Sequence, residues 1–331
     1  MTSARFRRAL HERFGDPRDV LRVVEVDEEY PAADEIVIRM EAAAMHIADL
    51  RTIEGADMFR NPLPRTPGFE GVGRVLRVGA AVSAYSIGDR VFPGLASGTF
   101  SEQVRCTASR CMPAPEGDAA QLSLLTVNGP TAAVLLDDFV ALNAGDWLIQ
   151  NAANSNCGRF VLQLARQRGI KTVNVVRRAE MVAELIEMGG DVVLIDGPDL
   201  ADRVTAATSG AAIRLGIDAV AGSATRRIAE CLSAEAQLVC YGAMSSQHCE
   251  LDFYRLFRLG IQFHALSFVR QLSKRSAPEV RALYADLAGK IATGALSARI
   301  AGRYRLEEII AACEHAAMTG SERDGKVVIV F

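Results

Sequence analysis

The chain has 331 residues, half of them hydrophobic and 23% charged, with a net charge of −3. That length exceeds one ordinary core and favours two domains; the slight acidity gives no pull toward nucleic acid. Seven cysteines, at 106, 111, 157, 231, 240, 249 and 313, form no CxxC pair and no framework of even number, so reduced thiols in a cytoplasmic protein are expected.

In chain order, "MTSARFRRALHERFGDP" is Arg-rich but holds Glu12 and Asp16 and no apolar stretch, so it reads as a first strand and loop rather than a targeting peptide. The first third is β-rich. "DEIVIRMEAAAM" alternates before running apolar, and "GFEGVGRVLRVG" has strand spacing with Gly punctuation. "SIGDRVFPGLASGTFSEQVRC" continues in short strands broken by Gly and Pro, as in a small, partly open barrel, and Pro-rich "CMPAPEGD" marks the exit. The uncharged run Ala119 to Leu136 nearly has the length of a membrane span. Gln121, Ser123, Thr126, Asn128, Gly129 and Pro130 interrupt it, and no membrane helix is expected.

From about residue 125 strands alternate with helices. Candidate strands are Trp147–Gln150, Thr172–Val176, Val192–Ile195, Ile217–Ala221, Leu238–Tyr241 and Ile261–Leu266. The clearest helix, "GRFVLQLARQRG", puts Phe160, Val161, Leu164 and Ala165 on one face. Six short apolar strands separated by helices imply a parallel, doubly wound sheet. The tail is helical ("APEVRALYADLAGKIATG", "RLEEIIAACEHAAM") and closes on "GKVVIVF", a strand able to rejoin the first domain.

The turn between the first of these strands and its helix, "NAANSNCG", bears on chemistry. A dinucleotide turn needs a strand, a helix start and a backbone that can approach a pyrophosphate. Gly158 sits where helix and strand pack closely, but small residues, Ala152, Ala153, Asn154, Ser155 and Asn156, stand in for the other glycines. Asn and Ser tolerate the turn and can donate to phosphate. The turn therefore reads as a nucleotide site or as a plain connection. The next strand ends in "VVRRAE", with Arg177 and Arg178 where an NAD site places an acid. A guanidinium there suits a 2′-phosphate, so NADPH is the expected cofactor; the alternative is two solvated arginines.

The stretch from "TVNGPTAAVLLDDF" through "NAANSNCG" to "VNVVRR", with "PGFEGVGRV" and "YGAM", resembles the 2-enoyl thioester reductases, a zinc-free branch of the medium-chain dehydrogenase/reductase superfamily. The resemblance implies an α/β fold with a GroES-like β-barrel domain (1–124 and 269–331) and a Rossmann domain (125–268), with NADPH in the cleft between them. It implies cofactor contacts from Asn128, from Asn154, Ser155, Asn156 and Cys157, and from Arg177 and Arg178. It adds Tyr241, Gly242, Ala243 and Met244, then Ser267, Phe268, Val269 and Arg270, and finally Lys326. A homodimer is also implied, pairing through the edge strand "IQFHAL".

Zinc-dependent relatives carry Cys in a "CHTD"-like segment and His in "GHE". Here those places hold His46, in "HIAD", and Phe69, in "GFEG", and Phe69 cannot ligate. Cys106 and Cys111 stand without the four-Cys lobe, and no metal is expected. His46 reads as a pocket residue or as an imidazole hydrogen-bonded in a turn, and Cys157, at a helix start, as a filler of the turn. The tyrosine thought to give the proton in enoyl reductases is replaced by Asp57, a carboxylate of the pocket or of a solvated loop, and no catalytic residue is assigned. The expected activity is NADPH-dependent reduction of the C=C bond of an α,β-unsaturated carbonyl, a 2-enoyl thioester above all. Alternatives are a quinone or carbonyl reductase, and an NADPH-binding regulator without turnover.

Overall fold

The computed structural model describes residues 5–56, 62–318, 320–322 and 324–331. The chain folds as two units, Met1–Val127 with Arg281–Phe331, and Asn128–Val280. Residues 125–127 go with the first unit, where the Val127 N–H donates to Glu70 at 3.0 Å. Residues 269–280 go with the second, where Arg275 meets Asp138 at 2.5 Å.

In the first unit β1 (Arg5–His11) and β2 (Leu21–Asp27) form an antiparallel ribbon, Arg5 opposite Asp27 and His11 opposite Leu21. The sheet that follows is built on β3 (Glu35–Ala44), with β4 (Glu70–Val78), β5 (Arg90–Phe92), β6 (Gln103–Thr107) and β7 (Met112–Pro113). One face of β3, with Ile36, Ile38, Met40, Ala42 and Ala44, is buried throughout, while the other carries exposed Arg39 and partly buried Glu35 and Glu41 beside buried Val37 and Ala43, which gives the alternation that ends in an apolar run. Ile36, Ile38 and Met40 pack with Val75, Val91 and Val104 in one cluster, and Ala43 packs with Leu50, Ile53, Phe100 and Ile329 in another. Each large side chain so buried contributes about 1.5–3 kcal/mol.

The second unit holds six parallel strands, β8 (Trp147–Gln150), β9 (Lys171–Val176), β10 (Val192–Ile195), β11 (Ile213–Asp218), β12 (Gln237–Cys240) and β13 (Gln262–Ala265), in spatial order β10-β9-β8-β11-β12-β13. The order reverses between β8 and β11, and ligands of such sheets bind at the carboxyl ends beside that reversal. The fourth strand lies earlier than the sequence pattern suggests. Ala221 has φ 64°, and the N–H groups of Val220 and Ala221 turn onto the Asp218 carboxylate, which ends the strand at Asp218. On the helix Asn156–Gln167, Phe160, Val161, Leu164 and Ala165 are all buried, as their spacing requires.

The chain returns to the first unit with β14 (Ile300–Arg305) and β15 (Lys326–Val330). β15 pairs antiparallel with β3, so the last strand closes the first sheet in the order β14-β15-β3-β4-β5-β7 with β6 also on β3. No helix among the described residues is long and apolar enough to cross a membrane.

Candidate functional site

The turn after β8 is tightly specified although it lacks glycines. Ala152 takes φ 47°, a conformation that L residues rarely adopt. The Ala153 N–H donates to Val175 O at 3.3 Å and the Ser155 N–H to Ala152 O at 2.8 Å, which closes the turn. Ser155 caps the helix Asn156–Gln167, its Oγ accepting from the Gly158 N–H at 3.1 Å. A Cβ on Gly158 would lie 2.7 Å from Ala153 O and 2.8 Å from Ala152 O, so only glycine lets the helix start press against the turn. The positive end of a twelve-residue helix is thereby aimed at the carboxyl edge of the sheet, where an anion is favoured.

Two buried networks hold this geometry, and neither is evident from local sequence. Gln150 Nε2 donates to Gly158 O (2.9 Å) and to Asn174 Oδ1 (2.8 Å), while Asn174 Nδ2 donates to Thr172 Oγ1 (2.8 Å). Asn151 Nδ2 donates to Asp218 Oδ1 (2.6 Å) and its Oδ1 accepts from the Ala219 N–H (2.8 Å). The turn is thus tied to β9 on one side and β11 on the other. Polar groups buried this way are costly unless paired, and pairing fixes one conformation; of these side-chain atoms Gln150 Oε1 alone has no hydrogen-bond partner among the described residues.

The fold brings some of the expected cofactor residues together. The Tyr241 hydroxyl faces the Cys157 thiol and the Ser155 hydroxyl, and burial holds the phenol well above its ordinary range. Gly242 packs on Ala219, where a Cβ would lie 2.9 Å from the carbonyl oxygen, and the Met244 N–H donates to the same carbonyl at 3.1 Å. Ala243 and Met244 are exposed. Arg177, exposed beyond the end of β9, has no ion pair among the described residues; Arg178 beside it touches the Met181 sulfur at 3.4 Å. Asn128 is 7% exposed and its Nδ2 has no hydrogen-bond partner among the described residues, a buried donor in want of an acceptor.

Others stand apart. Ser267 caps the short helix Phe268–Leu272, with Val269 and Arg270 exposed, and no hydrogen bond among the described residues joins this helix to the turn. Lys326 opens β15 in the first unit, where its charge faces Asp49 and Glu70.

That pair of carboxylates is the feature the sequence reading passed over. Asp49 and Glu70 are both fully buried. Asp49 Oδ2 accepts from the His46 N–H at 2.6 Å, and Glu70 Oε2 from the Val127 N–H at 3.0 Å and Thr126 Oγ1 at 3.3 Å. Burial pushes each up to about 7, against the pull of Lys326. The signal available in the sequence was an acid inside each of two apolar stretches, "HIAD" and "GFEG".

His46 caps the helix Ile47–Glu54, its Nδ1 accepting from the Ala48 N–H at 3.1 Å, so it is the hydrogen-bonded imidazole of a turn. Its ring centroid lies 6.4 Å from that of Phe69. With Phe69 offering no donor atom, these positions do not fit a three-ligand catalytic zinc. Asp57 lies outside the described residues.

Known proteins give these features a context. Residues 32–116 match the family model described as alcohol dehydrogenase GroES-like domain, and residues 157–285 the one described as zinc-binding dehydrogenase. The chain is 31% identical to a mitochondrial enoyl-[acyl-carrier-protein] reductase of Caenorhabditis elegans, over 92% of this chain and 90% of that protein. Among solved structures it is similar to a putative NADPH:quinone reductase from Bacillus thuringiensis (TM-score 0.88, 27% identity, 99% of this chain and 100% of that one). It is also similar to a mycobacterial protein complexed with NADPH (TM-score 0.84, 25% identity, 98% and 100%). A GroES-like first unit, a parallel six-stranded second one and the loss of a zinc ligand at Phe69 agree with these likenesses: the chain belongs to the zinc-independent medium-chain dehydrogenase/reductases, among the 2-enoyl thioester reductases.

Proposed function

We propose that this protein reduces the C=C bond of a 2-enoyl thioester with NADPH. The observation that carries the cofactor half is the turn itself: a helix start pressed against the β8 turn by Gly158, with Arg177 and Arg178 in place of an acid at the end of β9. The residues that would hold NADPH are Asn154, Ser155, Asn156 and Cys157 at the pyrophosphate, Arg177 and Arg178 at the 2′-phosphate, and Tyr241 to Met244 along the chain of the cofactor. Asn128 and Ser267 to Arg270 serve its nicotinamide end. When bound there, NADPH supplies the hydride that the β-carbon of the substrate accepts.

The protein's own part is positioning and charge. The turn fixes where the dinucleotide starts, and the two arginines select the phosphorylated form by charge and planar hydrogen bonding. Asn128, with a buried amide donor that has no acceptor among the described residues, suits a carboxamide oxygen. Reduction leaves an enolate that needs a proton at the α-carbon and a donor at oxygen; backbone N–H groups or water meet the second need. A tyrosine is absent from the family's place, and reduction is expected to be slower for it.

A quinone acceptor is the second reading, favoured by the likeness to the Bacillus protein. NADPH oxidation with crotonyl-coenzyme A, menadione and no acceptor separates the two readings.

The support for a homodimer is an edge of the second sheet that no other strand among the described residues pairs. β13 is its last strand, with Gln262, Phe263 and Ala265 exposed, and the helix Phe253–Leu259 before it shows Phe253, Tyr254 and Phe257 at 68%, 79% and 77% exposure. An unpaired edge beside an aromatic patch is a surface that a second copy covers. Light scattering of the purified protein gives twice the chain mass on this reading, and the monomer mass refutes it. The free thiols accord with a reducing compartment such as the cytoplasm.

A further inference from the structure

The carboxyl ends of β11 and β12 carry a polar cluster that the cofactor reading uses only through the bond of Asn151 to Asp218. Asp218 and Cys240 end adjacent strands as register partners, so their side chains leave the sheet side by side. Cys249 returns to them from the loop after β12, with its Sγ 3.5 Å from that of Cys240. One donor atom from each of the three lies within 4.8 Å of the others.

The carboxylate is rigidly oriented. Asp218 Oδ1 accepts from Asn151 Nδ2 (2.6 Å), Val220 N (2.8 Å) and Ala221 N (3.1 Å), and Oδ2 from Thr225 Oγ1 (2.6 Å). Ligating carboxylates are characteristically held by such donors, and Oδ2 keeps a lone pair for a cation. In tetrahedral zinc with Zn–S bonds of about 2.3 Å the two sulfurs stand roughly 3.8 Å apart, close to the spacing found here.

We propose that Asp218, Cys240 and Cys249 bind one thiophilic divalent ion, zinc by its chemistry, with water in the fourth position. Binding forms two sulfur–metal bonds and one oxygen–metal bond and releases two thiol protons; nothing is oxidised. The ion is unrelated to the catalytic zinc of other dehydrogenases, whose places here are His46 and Phe69. It closes the loop 241–249. On the proposed cofactor reading that loop lies along NADPH, so the ion orders it and tightens cofactor binding.

The test uses the full-length protein, reduced and stripped with a chelator, then titrated with Co²⁺. The expected result is a thiolate-to-cobalt charge-transfer band that saturates at one ion per chain, is bleached by Zn²⁺, and comes with release of two protons. Cys249→Ser, a loop change, abolishes the band, and Cys231→Ser, outside the cluster, leaves it intact. No band at one equivalent, or a band that survives Cys249→Ser, overturns the site. Zinc is expected to tighten NADPH binding at least about fivefold, the low end of ordinary coupling between two sites. Equal affinity with and without zinc overturns the coupling. If NADPH does not bind at all, the cofactor reading fails and the cobalt band still decides the metal site.

Discussion

Gly158→Ala puts two opposing effects on one atom. Inside a helix, alanine outranks glycine by about 1 kcal/mol, so propensity alone predicts a more stable protein. In this turn the new Cβ would lie 2.7 Å from Ala153 O and 2.8 Å from Ala152 O and Ala153 Cα, where ordinary contact begins at 3.4 Å. All three atoms are backbone, so none can swing aside, and the helix start must retreat by about 0.6 Å, the difference between ordinary contact and those distances. Retreat stretches the Gln150–Gly158 bond (2.9 Å) and the Ser155 cap (3.1 Å) together. Overpacking of this kind costs about 1–3 kcal/mol, and the propensity gain of about 1 kcal/mol offsets part of it, leaving a net loss of up to about 2 kcal/mol. Denaturant unfolding of both proteins measures it. NADPH affinity, read by fluorescence titration, is expected to fall about tenfold, since a shift of the N–H groups of that order costs about 1.4 kcal/mol at an anion. A variant as stable as the parent, with unchanged affinity, refutes the close-approach reasoning.

Two other perturbations address charge. Glu70 has its pKa raised by burial to about 7 from the ordinary 4.5. Between those values the folded state binds a proton that the unfolded state has lost, so stability is fully present below pH 4.5 and falls as pH rises to 7, by about 3 kcal/mol for this group alone. Glu70→Gln should flatten the unfolding free energy across that window; a profile parallel to the parent's would show that Glu70 ionises in the folded protein as it does in water. The double variant Arg177→Ala/Arg178→Ala should weaken NADPH binding about tenfold or more, the loss of one to two exposed charge-assisted hydrogen bonds, and leave NADH unaffected. Equal losses for both nucleotides would place the arginines away from the 2′-phosphate.

The second unit was legible because burial writes itself into sequence. Strands with buried faces become short apolar runs, and "WLIQ" and the core of "TVNVV" could be read at once, as could "VVLI", apolar throughout although it is a half-buried edge strand. β11 was misjudged by several residues because its end is set by Asp218, whose side chain captures the next two N–H groups, and by Ala221 at positive φ. Neither is a property of local hydrophobicity. The turn was legible in outline through Gly158, while the Gln150–Asn174 and Asn151–Asp218 bonds that lock it join residues far apart in the chain. The same holds for Asp49 with Glu70, and for Asp218, Cys240 and Cys249, where spacing carries no motif and only register makes neighbours. In the first unit the alternation of β3 and the final "KVVIV" showed strands, but the pairing of β15 with β3 depends on the sheet closing across nearly three hundred residues.

The central claim is tested most directly by NADPH oxidation with crotonyl-coenzyme A, followed by absorbance and run beside NADH and beside menadione as acceptor. Turnover of the thioester with NADPH, little with NADH, and butyryl-coenzyme A as the product is the predicted result. NADPH that binds and stays unoxidised with the thioester, while menadione turns over, would contradict enoyl reduction and establish the quinone reading in its place.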